Sequence, residues 1–184
     1  MAAALFFLLE TVFFLLVGAA LLRAWMNHLR INMSGQPGRF AMALTHWLVG
    51  PVRKILPRSM AQSRVDWGSL LAAVLLAIAY GGLRLLLGAA LAPSLGGVMA
   101  PVIAIPGLAF YLLVRVLLQG LIFLLLVYAV LSWVQPGASV MGTLDRLCSP
   151  LLRPIRRVVP RVGGVDLSVL VLIVLLQVGL ILLG

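Results

Sequence analysis

Three charged residues sit inside stretches that are otherwise almost wholly apolar: Glu10, Arg84 and Arg115. An ionised side chain in hydrocarbon costs a few kcal/mol or more, so such groups pair, mark a site, or reach out to the headgroups. Their depths are comparable. Glu10 precedes Trp25 by 15 residues, Arg84 follows Asp66 by 18, and Arg115 precedes Trp133 by 18. At about 1.5 Å per residue all three reach the same half of a bilayer. Glu10 is therefore expected to pair with Arg84 or Arg115 and tie spans together; the alternative is that each arginine snorkels to the outer surface.

A second set of charges is arranged by proline. Gly50-Pro51-Val52-Arg53-Lys54-Ile55-Leu56-Pro57 and Arg153-Pro154-Ile155-Arg156-Arg157-Val158-Val159-Pro160 share one pattern of proline, apolar, two basic, two apolar, proline. A Val-Asp pair follows each, Val65-Asp66 and Val165-Asp166, where a long apolar run begins. A carboxylate there accepts from the free amides of the first helical turn and meets the positive end of the helix dipole. It can also form an ion pair with an Arg or Lys of the same loop. The basic residues Arg53, Lys54, Arg153, Arg156 and Arg157 are candidates for contact with anionic lipid headgroups or a partner, at roughly 1 kcal/mol per cation near an anionic surface.

Other reactive groups are sparse. His28 and His46 stand 18 residues apart with no carboxylate at metal-ligand spacing. No Gly-rich phosphate loop or nucleophile elbow occurs, and the aspartates are not paired for acid–base work. Catalysis, a metal site and a cofactor are not expected. The lone Cys148 excludes an intrachain disulfide and is expected to be structural.

The elements that hold these residues follow from composition. Of 184 residues 64% are hydrophobic and 10% charged, with 14 Lys+Arg against 4 Asp+Glu. Soluble domains are about 45–50% apolar and about 25% charged, so lipid must solvate much of this chain. The basic excess then reflects topology and anionic headgroups, and direct nucleic-acid binding is not expected. Four spans are predicted, at about 3–25, 67–91, 105–133 and 167–183. Of the 14 basic residues, 12 fall between spans one and two or between spans three and four, counting Arg23 at the boundary of span one, whereas 92–104 is an uncharged linker. The positive-inside rule places both basic connections in the cytoplasm and both termini opposite. The first positive charge, Arg23, follows the first apolar run, the reverse of a secretory signal, so a retained anchor is expected.

The fold class is therefore an all-α membrane protein of two helical-hairpin repeats, 1–91 and 105–184. An even number of spans per copy makes the repeats parallel, not inverted. On a helix of about 100° per residue, Leu144, Leu147, Leu151, Leu152, Ile155, Val158 and Val159 share one sector of 144–159, with Arg146, Arg153, Arg156 and Arg157 opposite. This predicts an amphipathic helix in the headgroup plane, apolar face to the lipid, with Ser149-Pro150 as a start signal and Pro154 as a kink. Residues 39–57 form a weaker version. Gln119 and Gln177 are candidate interhelical hydrogen-bonders, and Gly18, Gly81, Gly82, Gly88 and Gly179 candidate points of close helix approach.

Leu131-Ser132-Trp133, then Ser149-Pro150-Leu151-Leu152-Arg153-Pro154-Ile155-Arg156-Arg157, Pro160 and Gly164-Val165-Asp166-Leu167-Ser168, resemble the YggT (YlmG) family of bacterial and plastid membrane proteins. Arg23-Ala24-Trp25, the Gly50–Pro57 motif and Val65-Asp66 match it more loosely, with residues 58–64 inserted before the aspartate. The resemblance implies a bacterial cytoplasmic (inner) membrane protein without established catalytic activity, linked in some members to osmotic-stress tolerance and cation uptake. In others it implies cytochrome b6 maturation, nucleoid distribution or proximity to division genes. It transfers no catalytic residue, only the motif on Pro51, Arg53, Lys54, Pro57 and Asp66, and on Pro154, Arg156, Arg157, Pro160 and Asp166. The function expected is a scaffold, assembly or stress-tolerance factor whose basic loops dock on anionic lipid or a membrane-protein partner. The alternative is an oligomeric ion or solute pathway built around Glu10, Arg84 and Arg115.

Overall fold

A computed structural model of the protein describes residues 2–57, 65–91, 101–159 and 166–184. Arg58, Arg64, Arg161, Pro160, Gly164, Val165 and most of the uncharged linker lie outside the described residues. The rest form six helices: α1 (Ala2–His28), α2 (Gly38–Ile55), α3 (Trp67–Leu91), α4 (Pro101–Val134), α5 (Met141–Arg156) and α6 (Leu167–Leu183). No strand occurs among the described residues.

Helices α1, α3 and α4 are long and apolar enough to cross a membrane, with mean hydropathies of 2.5, 2.2 and 2.4. The fourth expected span, α6, is as apolar but has 17 residues, about 25 Å of helix against a hydrocarbon core of about 30 Å. Helix α4 begins at Pro101, not at 105 as expected, and carries Pro106 inside it. Pro101 takes the first helical position, where its missing N–H would have no partner, whereas Pro106 falls in the second turn and removes one helical hydrogen bond.

The packing order explains how the loops are held. Helices α1 and α3 pack together and α4 covers both; α6 lies against α4, α2 crosses α1 and α3, and α5 crosses α4 and α6. The joint core is made by Phe13, Val17 and Ala20 of α1, Ala73, Leu76, Ala77 and Tyr80 of α3, and Ala109, Leu112 and Val116 of α4. Alanine recurs because lipid provides no hydrophobic drive between helices, and close backbone approach maximises dispersion contact. Gly81 makes one such approach: a Cβ there would lie 3.2 Å from the Ile105 carbonyl oxygen. Gly18 and Gly179 face Val116 and Leu118 side chains at ordinary contact, whereas Gly82 and Gly88 meet nothing within 4 Å. Large apolar residues such as Phe7, Phe110, Phe123, Leu170 and Leu182 are exposed, which lipid would cover.

Helix α1 is closed by a backbone motif. Ile31 N–H donates to the Met26 carbonyl at 2.9 Å and Arg30 N–H to Asn27 at 3.0 Å, the paired bonds of a Schellman cap. Ile31 and Met26 pack together as that motif favours. Arg30 carries the left-handed conformation, φ 53°. A side chain in that region costs roughly 1 kcal/mol relative to glycine. Arg30→Gly is accordingly expected to raise the Tm of the detergent-purified protein by about 2–4 °C, measured by thermal unfolding.

Helix α5 differs from expectation in two ways. It spans Met141–Arg156 rather than the expected 144–159, and the start signal at Ser149-Pro150 is not used, so Pro150 and Pro154 both fall inside it. Burial outweighs the local start signal: Leu144, Leu147, Cys148 and Leu152 are fully buried. Leu144, Cys148 and Leu152 pack on Leu125 and Tyr128 of α4 and Val169 of α6, and Leu147 packs on Met26 and Ile31. Of the apolar face expected to lie on lipid, Leu144, Leu147 and Leu152 are thus covered by protein, whereas Leu151, Ile155 and Val159 are partly exposed and Val158 is exposed.

Candidate functional site

Each basic loop turns on one arginine and one aspartate. In the first, Pro51 lies in the last turn of α2 and Arg53 follows two residues later. The chain then leaves the helix at Leu56, held extended (φ −70°, ψ 138°) ahead of Pro57. Arg53 Nη2 donates to Asp66 Oδ2 at 2.7 Å. Asp66, whose side chain is 3% exposed, also accepts from Ser69 N–H through Oδ1 (3.2 Å) and from Ser69 Oγ through Oδ2 (2.8 Å). One carboxylate therefore caps α3 and anchors α2. Gly68 makes room: a Cβ there would stand 2.6 Å from Arg53 Cγ, so the arginine stem lies directly on the glycine.

The second loop repeats the geometry. Arg156, two residues after Pro154, meets Asp166 Oδ2 through Nε at 2.8 Å and Nη2 at 2.6 Å. Asp166 Oδ1 caps α6 by accepting from Ser168 N–H at 3.1 Å. Tyr128 of α4 joins the network, its hydroxyl accepting from Arg156 Nη2 (3.4 Å) and donating to Asp145 Oδ1 (3.2 Å). Partial burial would raise the Asp166 carboxyl and lower the Arg156 guanidinium, but their mutual hydrogen bonding outweighs it. Asp166 is held below the ordinary carboxylate range and Arg156 above its ordinary value.

The remaining cations divide differently from the sequence expectation. Arg23, grouped there with the first loop, is buried and donates through Nη1 to Thr45 Oγ1 at 3.1 Å, tying α1 to α2. Lys54, Arg153 and Arg157 are exposed, as are Arg39 and Arg146. The ion pairs among the described residues are Arg53–Asp66, Arg156–Asp166 and Arg115–Glu10.

That last pair resolves the choice left open for Glu10. Arg115 Nη1 of α4 bonds Glu10 Oε1 of α1, joining the two halves of the chain. Arg84 instead donates to the Tyr80 hydroxyl at 2.7 Å and lies over that ring. Trp25 makes another link between halves, donating Nε1–H to the Leu147 carbonyl of α5 at 3.3 Å.

Sequence reasoning missed Gly68, Ser69, Thr45, Tyr128 and Asp145. A Gly-Ser pair at a helix start and a tyrosine in an apolar span were the available signals. Buried Cys148 behaves as expected of a structural thiol: burial, aided by Asp145, pushes it up to about 12. The thiolate is the reactive form, so maleimide is expected to leave Cys148 unlabelled in the folded protein at pH 7.5 and to label it fully in denaturant, read by mass shift.

Three comparisons bear on this arrangement. The family model described as CCB3/YggT matches residues 2–87 and 107–184. A protein named YggT from Escherichia coli K12 is 35% identical over 94% of this chain and 85% of its own length. A protein from Vibrio alginolyticus, named only by its place in the proC 3' region, is 30% identical over 97% of this chain and 92% of its own. No solved structure shows significant similarity.

Proposed function

The chain belongs to the CCB3/YggT family, and from that premise we propose a non-catalytic scaffold or assembly factor of the bacterial cytoplasmic membrane. In this reading α1, α3, α4 and α6 make four crossings as two parallel hairpin copies, with α2 and α5 at the cytoplasmic face and both termini outside. The exposed cations dock on anionic lipid or on a membrane partner. One observation carries the proposal. The arginine two residues after each motif proline, Arg53 or Arg156, is committed to the aspartate heading the next helix. The following basic residue, Lys54 or Arg157, is left exposed with Arg153. One cation locks the loop and its neighbours face outward, a division suited to holding a charged surface in a fixed pose. The pairing of Glu10 with Arg115 supports a structural rather than a conducting role for intramembrane charge.

The test is neutralisation of the outward set. Lys54→Gln/Arg153→Gln/Arg157→Gln should stay helical and monodisperse, yet extract from native membranes with several-fold less anionic phospholipid and lose any partner chain that travels with the unaltered protein. Unchanged lipid and partner content, with robust cation flux in liposomes abolished by Glu10→Ala, would overturn the proposal in favour of a transport pathway.

A further inference from the structure

One cleft unites cations that the ion pairs leave unused. Leu29, just past the end of α1, faces Asp145, Arg146, Ser149, Pro150 and Arg153 of α5 across a cavity of about 460 Å³. Arg146, Ser149, Pro150 and Arg153 follow the i, i+3, i+4, i+7 spacing of one helix stripe. That stripe lies on the side of α5 opposite the buried one of Leu144, Leu147, Cys148 and Leu152. Neither Arg146 nor Arg153 has a carboxylate within ion-pair distance among the described residues. The carboxylate of Asp166 is occupied with Arg156.

The depth of the cleft identifies its source of ligand. Leu29 follows Trp25 and His28, whose rings stack at 6.0 Å, and the exposed Trp133 marks the end of α4. Such aromatic rings settle at the membrane–water boundary. A cleft at that level meets headgroups before it meets solutes.

Its lining also narrows the chemistry. Two guanidinium groups suit a phosphate, but Asp145 leaves the cleft only one net positive charge, which favours a monoanionic phosphodiester over a dianionic monoester. Asp145 would also repel a headgroup carboxylate and accept from a hydroxyl. Pro150 and Pro154 lack N–H groups, so the carbonyls of Arg146 and Pro150 lack their usual helical donors and add further acceptors.

We propose that this cleft is a specific site for one phosphatidylglycerol headgroup, its phosphate held by Arg146 and Arg153 and its glycerol hydroxyls by Asp145, Ser149 and the freed carbonyls. The site rests on the lipid-docking reading above and sharpens it.

The experiment titrates the full-length, detergent-purified chain with dioctanoyl phosphatidylglycerol, phosphatidylserine and phosphatidylcholine, and with glycerol 3-phosphate, following Tm. Phosphatidylglycerol should raise Tm saturably, and the other three should bind at least tenfold more weakly. Arg146→Gln and Arg153→Gln should each weaken phosphatidylglycerol at least fivefold, and Arg39→Gln less than twofold. Arg146 and Arg153 are both exposed, so each variant is expected to fold, and either one alone tests the site. Equal effects of Arg39→Gln and Arg153→Gln, with preference for anionic lipid intact, would overturn the cleft and leave general docking standing. Equal binding of phosphatidylcholine or glycerol 3-phosphate would overturn the assignment to phosphatidylglycerol. No response to any anionic lipid would overturn both this site and lipid docking.

Discussion

Replacing Asp166 by alanine is expected to lower the stability of the detergent-purified protein by about 3 kcal/mol, a fall in Tm of roughly 6–12 °C. The loss has named parts. The cap on α6 goes with the Ser168 N–H acceptor, at about 1 kcal/mol. The remainder, about 2 kcal/mol, comes from leaving a partly buried Arg156 without its carboxylate. Asp166→Asn keeps an effective cap and loses the charge, so it should fall between the two.

The pH dependence has a definite sign. The folded state holds Asp166 below the ordinary carboxylate value, so its contribution is complete above about pH 4. It is lost as pH falls through the depressed folded value. The gap between the unaltered chain and Asp166→Ala should therefore be constant from about pH 8 to 5 and close only on stronger acidification. Asp66→Ala should behave comparably at neutral pH, because Asp66 has equivalent partners in Arg53 and the Ser69 N–H and one more in Ser69 Oγ.

The second large effect lies in the bilayer. Glu10→Leu leaves Arg115 unpaired between α1 and α4, and an unpaired arginine in the apolar zone costs about 2.5–3.5 kcal/mol. Arg115→Leu leaves the glutamate in the same position. The double variant Glu10→Leu/Arg115→Leu removes both charges and should recover most of the loss, since replacing a desolvated pair by apolar groups is often neutral. Thermal unfolding of the four proteins gives the coupling energy directly. Additive losses would mean that the pair is not a structural tie. Arg84 provides the contrast: it bonds the Tyr80 hydroxyl rather than a carboxylate, so Glu10→Leu/Arg84→Leu should show no recovery.

Much of this architecture was legible because lipid simplifies the code. Long apolar runs announce α1, α3 and α4, and the proline-basic motif with its aspartate announces both loops. The capping and pairing of Asp66 and Asp166 followed from position alone, since a carboxylate at a helix start beside a basic loop has few other partners. What escaped the sequence depended on tertiary burial. Leu144, Leu147 and Leu152 have the periodicity of a lipid-facing stripe and that of a protein-facing one, and only packing against α4, α6 and the end of α1 separates the two. Ser149-Pro150 resembles a helix start, but burial of Leu144, Leu147 and Cys148 carries the helix back to Met141. Arg23 sits at the boundary of a basic loop and is nonetheless buried against Thr45, a contact between residues 22 apart that no local pattern encodes. The choice of Arg115 over Arg84 turned on which helix face meets α1, which residue counting could not settle.

The account stands on both basic loops facing the cytoplasm while the chain crosses the membrane four times. Single cysteines at Arg39→Cys, Arg157→Cys and Gly184→Cys in a Cys148→Ala background, probed with a membrane-impermeant maleimide, test this most directly. The account predicts that the positions at 39 and 157 label only in inverted vesicles and the position at 184 only in intact spheroplasts. Labelling of 39 or 157 from outside, or of 184 from the same side as 157, would contradict it.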